Sequence, residues 1–373
     1  MKNVLAISYA VRALEPDSRE QKRMIELSTA LDRHVMIVAT RSDSPYPSEF
    51  HQGNLSIYGT HARTQLGVLW RGFWLGRQAL AQHAAEPWTV SAQDPFQTSL
   101  IAYPLARLMR ALFHVQVHGD NFANPHWEQA SFTNRLWTRW GRFIVRRAAG
   151  VRVVSKRIER ALLALKVQPD VLAVLPVRVE LGHFLSAGSG RAANHSGTVR
   201  FLYAGRWTPE KNLPLLLAGW ELFAKQNPAA ELHLYGDGPL RSQLAAEISS
   251  RNIADTVTLH RWVEDAPALM AAHDVFVLTS DHEGYSLVLL EAAAAGMSLI
   301  TTDVGCVGEL VFDREEGIVV DHNPEAVKAA MEIQMDREVR SAMAAKGQAM
   351  AARIESSQAA YSAAWARSFG FAH

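Results

Sequence analysis

Residues 275–302 read VFVLTSDHEGYSLVLLEAAAAGMSLITT. Val275–Thr279 is a run of β-branched and apolar residues with the length of a buried strand, too short for a helix. Ser280–Tyr285 is polar and carries Asp281, His282 and Glu283. Ser286–Ala295 is rich in Leu and Ala, strong helix formers, and Gly296 stands where a helix-terminating glycine belongs. Ser298–Thr302 is a second apolar strand. Strands that are apolar along their whole length, separated by a helix, predict a parallel sheet covered on both faces.

The same alternation continues in both directions. Toward the N-terminus the pattern predicts strands at Arg200–Ala204, Glu231–Tyr235 and Val257–His260, with helices at Leu213–Gln226, Leu240–Arg251 and Ala266–Ala272. Toward the C-terminus come a strand at Gly317–Val320, a helix at Pro324–Glu332 and an Ala/Met/Arg-rich helical stretch to about Trp365. In the first half, strands are expected at Val4–Ser8, Val35–Thr40, Trp88–Ala92, His114–His118, Val151–Ser155 and Val171–Leu175. Helices are expected at Arg19–Leu31, Gly67–His83, Ser99–Leu112 and Lys156–Leu165. Ser186–Thr198 holds three Ser and three Gly and no large apolar side chain, the composition of a linker. The reading is therefore α/β, two doubly wound Rossmann-like domains facing a cleft, with the ligand at the C-terminal ends of the strands. The boundaries fall at 1–180, a hinge at 181–198, a second domain at 199–350, and a C-terminal helix at 351–373 packing back on the first domain.

A chain of 373 residues, 48% hydrophobic and 20% charged, fits two ordinary globular domains and excludes wholesale disorder. Its one cysteine, Cys306, excludes a disulfide framework and a Cys-rich zinc module and suits a reducing cytoplasm. Met1–Tyr9 is too short an apolar stretch for a signal segment and reads as a first strand. No uncharged apolar stretch is long enough to span a bilayer. The net charge of +1 hides an asymmetry: residues 1–180 sum to +9 and residues 181–373 to −8. Such a split points to a basic half that meets an anionic partner.

Chemistry concentrates in 205–309. After the strand 200–204 the chain reads Gly205-Arg206-Trp207-Thr208-Pro209-Glu210-Lys211-Asn212. A glycine at a strand end lets the backbone turn, and Arg206 and Lys211 on one loop suit a diphosphate, the plain alternative being a solvated basic loop. Gly236-Asp237-Gly238-Pro239-Leu240 is a tight strand–helix turn without the third glycine of a dinucleotide fingerprint. Gly284, Tyr285, Ser286 and Leu287 open a helix whose free N–H groups suit phosphate or a sugar oxygen. Glu283 and Glu291, eight residues apart, can serve one ligand at its sugar and at its ribose. No Asp-x-Asp pair occurs, so neither a metal clamp nor another cofactor is expected.

Gly205-Arg206 through Glu210-Lys211-Asn212, the Gly236–Leu240 turn, and Ser280–Gly296 with its Glu-x7-Glu spacing resemble the retaining glycosyltransferases of family 4, of GT-B fold. Thr301–Gly305, Gly308-Glu309 and Arg261-Trp262-Val263 fit the same pattern. The resemblance implies a donor hexose on a nucleoside diphosphate, with Arg206 and Lys211 neutralising the leaving group, Glu283 orienting the hexose, Glu291 on the ribose, and Trp262 and Val263 at the base. It also implies transfer with retention, a donor phosphate oxygen accepting the proton of the acceptor hydroxyl. In the first half, Ser91–Phe96 and Val117–Asp120 occupy strand ends, and His118 resembles the histidine that touches the donor sugar. The first strand–helix loop, Ala13–Arg19, lacks the glycine pair of many relatives, so no residue is carried over there.

Asn134–Gly150 (NRLWTRWGRFIVRRAAG) has five arginines and no acid, with Arg135, Arg139, Arg142 and Arg146 on one stripe and Trp137, Trp140, Phe143 and Ile144 among them. Arg71, Arg77, Trp70, Phe73 and Trp74 repeat the theme. A basic aromatic helix is a membrane-surface signal; its rival is a helix that packs its aromatics inward. The expected partners are a nucleotide-sugar donor, a glycan or lipid-linked acceptor and an anionic membrane surface through 134–150, with no nucleic acid. The expected place of action is the cytoplasm, at the inner face of the cell membrane. An epimerase or disaccharide synthase of the same fold, and a non-catalytic nucleotide-sugar-binding protein, share these residues.

Overall fold

A computed structural model describes residues 2–122, 127–128, 131–190, 197–354 and 358–370. Its strands are β1 Asn3–Ser8, β2 Arg33–Val38, β3 Glu49–Gln52, β4 Leu55–Gly59, β5 Trp88–Ala92, β6 Leu112–Val117, β7 Gly150–Val153, β8 Leu172–Val174, β9 Arg200–Ala204, β10 Glu231–Tyr235, β11 Val257–His260, β12 Val275–Leu278, β13 Ser298–Thr302 and β14 Gly317–Val320. Among the helices, α1 is Arg19–Ser28, α2 Gln65–Ala81, α3 Ser99–Met109 and α4 Phe132–Val145. The chain divides into a unit of residues 1–176 with 356–373 and a second unit of residues 177–355.

In the first unit the strand order is β3-β4-β2-β1-β5-β6-β7-β8, parallel except for the β3–β4 hairpin. That hairpin, closed by Gly53 at φ +59°, is absent from the sequence reading because EFHQ has no apolar run to mark it. Polar N-caps start the helices: Ser18, Thr64 and Ser131 each accept a bond from a first-turn N–H. The connections β4→β5, β5→β6 and β6→β7 all run the same way across the sheet, so right-handed crossovers put α2, α3 and α4 on one face. The connection β1→β2 runs the other way, and α1 lies on the opposite face. The terminal helix Gln358–Arg367 joins it there: Tyr361, Trp365, Ala366 and Phe369 form one cluster with Val4, Leu27 and Leu31.

A buried arginine ties that terminal helix to the sheet. Arg152 on β7 donates to Gln116 Oε1 (2.9 Å), to the carbonyls of Leu175 (3.1 Å) and Pro176 (3.2 Å), and to the Tyr361 hydroxyl (2.9 Å). The Tyr361 hydroxyl in turn donates to Pro176 O.

The second unit is all parallel, in the order β11-β10-β9-β12-β13-β14. Residues 182–189, inside the stretch read as hinge, form a helix, Gly182–Ser189, seated through Phe184. The rest of the expected linker at 191–196 lies outside the described residues. Helix Leu213–Ala224 is apolar apart from Glu221 because it is covered by the sheet and by helix Pro324–Met335; a Cβ on Gly219 would stand 2.6 Å from Val327 Cγ1. The chain turns left from β9 and resumes right at β12, so β9/β12 is a topological switch point.

Two buried histidines give the first unit an acid limit. Burial pulls the pKa of His34 down to about 4, its ring edge-on to Trp365, and burial with the Arg152 charge pulls His114 down to about 3. Both titrate near 6.5 when unfolded, so stability is full above pH 6.5 and falls below it. The loss should approach about 1.4 kcal/mol per pH unit for each histidine until the folded value is reached. His34→Phe should flatten this slope in urea titrations between pH 6.5 and 4; an unchanged slope would mean His34 is protonated in the fold.

Candidate active site

Parallel strands bring their C-terminal ends to one edge, so the loops after β10, β9, β12 and β13 lie side by side. The loops after β9 and β12 flank the switch point, and the expected diphosphate and sugar residues sit on them. Gly205 N–H donates to Tyr235 O (3.0 Å), turning the chain out of β9. Trp207 then returns to the interior, fully buried, its N–H on Asp237 O (2.9 Å) and its carbonyl accepting from Leu240 N (3.2 Å). The two loops touch so closely that only glycine fits opposite. A Cβ on Gly236 would stand 1.9 Å from Gly205 O, and one on Gly238 2.4 Å from Trp207 O.

Arg206 projects outward, 74% exposed, with Glu210 3.5 Å away. Burial works against the Glu210 carboxylate, but the Thr208 hydroxyl at 2.6 Å and the two loop cations outweigh it and hold its pKa below the usual range. One 3-10 turn, Pro209–Lys211, swings Lys211 back across the switch point, and Asn212 (φ +46°) caps the next helix. Lys211 Nζ donates to Glu283 Oε1 at 2.6 Å, and the two side chains are only 16% and 13% exposed. Ser280 Oγ donates to the same oxygen at 2.8 Å. Three further bonds join the loops: Asp281 N to Glu210 O (2.9 Å), Asn212 Nδ2 to Asp281 Oδ1 (2.7 Å) and Thr279 Oγ1 to Asn212 O (3.1 Å).

The half-buried Gly284 and the buried Tyr285 and Ser286 lead into helix Leu287–Ala294. Ser286, at φ +61°, makes no side-chain cap, and no acid occupies the first turn of the helix itself. Gly305 packs directly on it: a Cβ there would lie 2.1 Å from Ser286 Oγ. Burial raises the Tyr285 phenol pKa and pushes the Cys306 thiol up to about 12, so both stay neutral. Glu291 is half-buried in the second turn of the helix. Trp262 and Val263, just past β11, are 64% and 37% exposed. Among the described residues no three His, Cys, Asp or Glu side chains gather as a metal site.

His118 belongs to the first unit, just past β6. Its Nε2–H donates to Gln116 Oε1 (3.2 Å), the atom that also accepts from Arg152. Burial and the charges of Arg152 and Arg23 pull its pKa to about 3, so the ring is neutral with Nδ1 as acceptor. The structure thus places Gly205, Arg206, Lys211, Gly236, Glu283, Gly284, Tyr285 and Ser286 on adjoining loops of the second unit, Leu287 and Glu291 on the helix that follows, and His118 in the first unit. Sequence reasoning missed Trp207, Arg152 and Gln116. Arg152 had a signal, a lone charge inside the apolar strand Val151–Ser155.

The aromatic helix is only partly the surface feature expected. Trp140 Nε1 donates to Ser99 Oγ (2.7 Å) and Trp137 meets Phe96, so both tryptophans turn inward. Arg142 pairs with Glu128 (2.7 Å) and Arg146 donates to Leu165 O, and Arg135, Arg139 and Arg146 are exposed.

At Gly305 there is no room for a side chain beside Ser286 and Tyr285, at the helix start. Gly305→Ala should displace that start and weaken nucleoside diphosphate binding by about 10-fold or more, the scale of losing one charge-assisted bond. Calorimetric titration with UDP and GDP checks this, and unaltered affinity for whichever nucleotide binds would show that the N–H groups play no part.

The description "Glycosyl transferase 4-like domain" matches residues 22–178 and "Glycosyl transferases group 1" matches residues 198–336, together most of the chain. The alpha-D-kanosaminyltransferase of Streptomyces kanamyceticus is 25% identical over 316 residues, 80% of each chain. A GDP-mannose:cellobiosyl-diphosphopolyprenol alpha-mannosyltransferase of Xanthomonas oryzae pv. oryzae is 29% identical over 220 residues, 58% of this chain and 55% of that protein. In fold, the chain superposes on Anabaena HepE, solved with UDP and glucose, at a TM-score of 0.72 and 15% identity over 100% of both chains. With two doubly wound parallel-sheet units and both family descriptions matched in order, the chain belongs to the group 1 glycosyl transferases and has the GT-B fold.

Proposed function

We propose that the chain is a retaining hexosyltransferase that moves a hexose from a nucleoside diphosphate sugar to a lipid-linked glycan, without a metal clamp, from the cytoplasmic side of a membrane. The observation that carries this reading is the Lys211–Glu283 pair across the switch point, with the exposed cation Arg206 on the same loop as Lys211. Lys211 holds Glu283 through Oε1, which leaves Oε2 as the oxygen for a sugar hydroxyl, while the lysine's other N–H donors serve a phosphate. Arg206 closes on the diphosphate as charge builds in the transition state. The anomeric C–O bond to phosphate breaks and the bond to the acceptor oxygen forms on the same face. The acceptor's proton passes to the departing diphosphate. Neutral His118 offers an acceptor nitrogen and takes no proton in this scheme. Glu291 serves the ribose, and Trp262 with Val263 the base.

Two features support the acceptor class. The first is the +9 of residues 1–180; the second is the diphosphopolyprenol-linked acceptor in the name of the Xanthomonas relative. Polysaccharide or cell-envelope glycan assembly is the setting that such an acceptor implies.

Arg206 is exposed, so Arg206→Ala leaves the fold alone and should lower kcat by about 10²-fold with a smaller change in donor KM. Lys211→Ala should cost at least as much and also lower Tm, since Glu283 is left unpaired. NMR of the product should show the donor's anomeric configuration. Near-normal turnover in both variants, or donor conversion without acceptor, would overturn the assignment.

Activity should also persist after treatment with a chelator, because Arg206 and Lys211 supply the cationic charge. Loss of turnover restored by manganese or magnesium would transfer that role to a metal.

A further inference from the structure

Three helices of the first unit, α2, α3 and α4, contain no Asp or Glu at all. The crossover rule puts them side by side on one face, α2 packed on α3 and α4 tied to α3 through Trp140 and Ser99. The inner face of α2 buries Val68, Gly72, Gly76, Ala79 and Leu80, and its two glycines lie so close to α3 that a Cβ would meet Ile101 Cδ1 at 2.9 Å and Leu105 Cδ2 at 2.6 Å. Its outer face carries Leu66, Trp70 and Trp74, four residues apart and 78%, 65% and 41% exposed. Arg77 lies over the Trp74 ring at 5.0 Å. Next to this stripe, α3 exposes Leu108 (58%) beside Arg107, and α4 exposes Phe132 (72%) and Leu136 (49%) beside Arg135 and Arg139.

Exposed tryptophans interleaved with arginines, on helices that themselves carry no acid, match the boundary of an anionic bilayer, where the ring enters the headgroup layer and the guanidinium meets phosphate. A second copy of this chain is a poor occupant, since it would set arginine against arginine. Among the described residues no helix is long and apolar enough to cross a membrane, so contact here is peripheral. We propose that the outer face of α2, α3 and α4 docks on anionic lipid, with Trp70 and Trp74 inserted and Arg77, Arg107, Arg135 and Arg139 on the headgroups. This moves the centre of contact from residues 134–150 to α2. It deepens the reading of a membrane-borne acceptor and rests on that reading for its use.

The test is co-sedimentation of the full chain with phosphatidylcholine vesicles containing rising fractions of phosphatidylglycerol. Binding should rise with the anionic fraction and fall with salt, since headgroup attraction fades over a Debye length. Trp70→Ala with Trp74→Ala should cut partitioning by about 10-fold or more per tryptophan, the scale of burying one large apolar side chain. Arg107→Gln, Arg135→Gln and Arg139→Gln together should weaken the salt dependence, leaving the part that Arg77 supplies. These side chains are exposed, so Tm and binding of UDP or GDP should match the wild type, and the salt series on the wild type decides even if one variant fails to fold. Wild type that ignores anionic vesicles, or a tryptophan variant that binds them equally, overturns the proposal. So does a wild type that doubles its mass in solution while the variant does not. Vesicle binding without hexose transfer would instead overturn the transferase reading and leave this surface standing.

Discussion

The ion pair between Lys211 and Glu283 is the constraint on which the donor-side loops depend. At a switch point the two central strands send their chains to opposite faces, and the pairing of β9 with β12 ends at Leu202 and Phe276, short of the loops beyond them. Something must hold those loops in register. The pair does so at 2.6 Å with both groups largely withdrawn from water, where an unmatched charge is costly. Ser280 fixes the same carboxylate oxygen, and Asn212, Asp281 and Thr279 fasten the backbones on either side. The acid that is assigned to the sugar is therefore immobilised by the cation that is assigned to the phosphate. Moving either one moves the other.

Backbone contact sets the second limit on this region. The turn after β10 lies on the loop after β9 with no room for a side chain at Gly236 or Gly238. Trp207 fills the space below, and Arg241 reaches over its ring at 5.2 Å. Gly305 plays the same part for the start of helix Leu287–Ala294. Small residues are used here where loops must meet without an intervening side chain, and the charged groups are then placed at the edges of those contacts.

Most of the fold was legible because doubly wound sheets announce themselves: strands such as LITT and VFVL are apolar along their length, and helices between them carry clear caps. The β3–β4 hairpin was not, because EFHQ at a sheet edge has one face in water and no strong apolar signal. Helix Gly182–Ser189 was hidden by its Gly and Ser content, and forms because Phe184 is buried. In the site, loop cations and Glu283 were legible from residue type and spacing, but the Lys211–Glu283 contact spans 72 positions and only the fold supplies it. The inward turn of Trp137 and Trp140 stood in the sequence only as one of two alternatives, and their partners Phe96 and Ser99, from a different helix start, decide it.

The discontinuity of the first unit has a consequence for how the chain is made. Tyr361, Trp365 and Phe369 complete a core begun by Val4, and Arg152 waits on β7 for the Tyr361 hydroxyl. During synthesis residues 1–176 emerge first yet lack these partners, while 177–355 emerge as one uninterrupted stretch with every strand of their own sheet. The nascent chain therefore finishes its second unit before its first, and the earliest-made half spends longest with an open apolar face. That is the half a chaperone would have to guard.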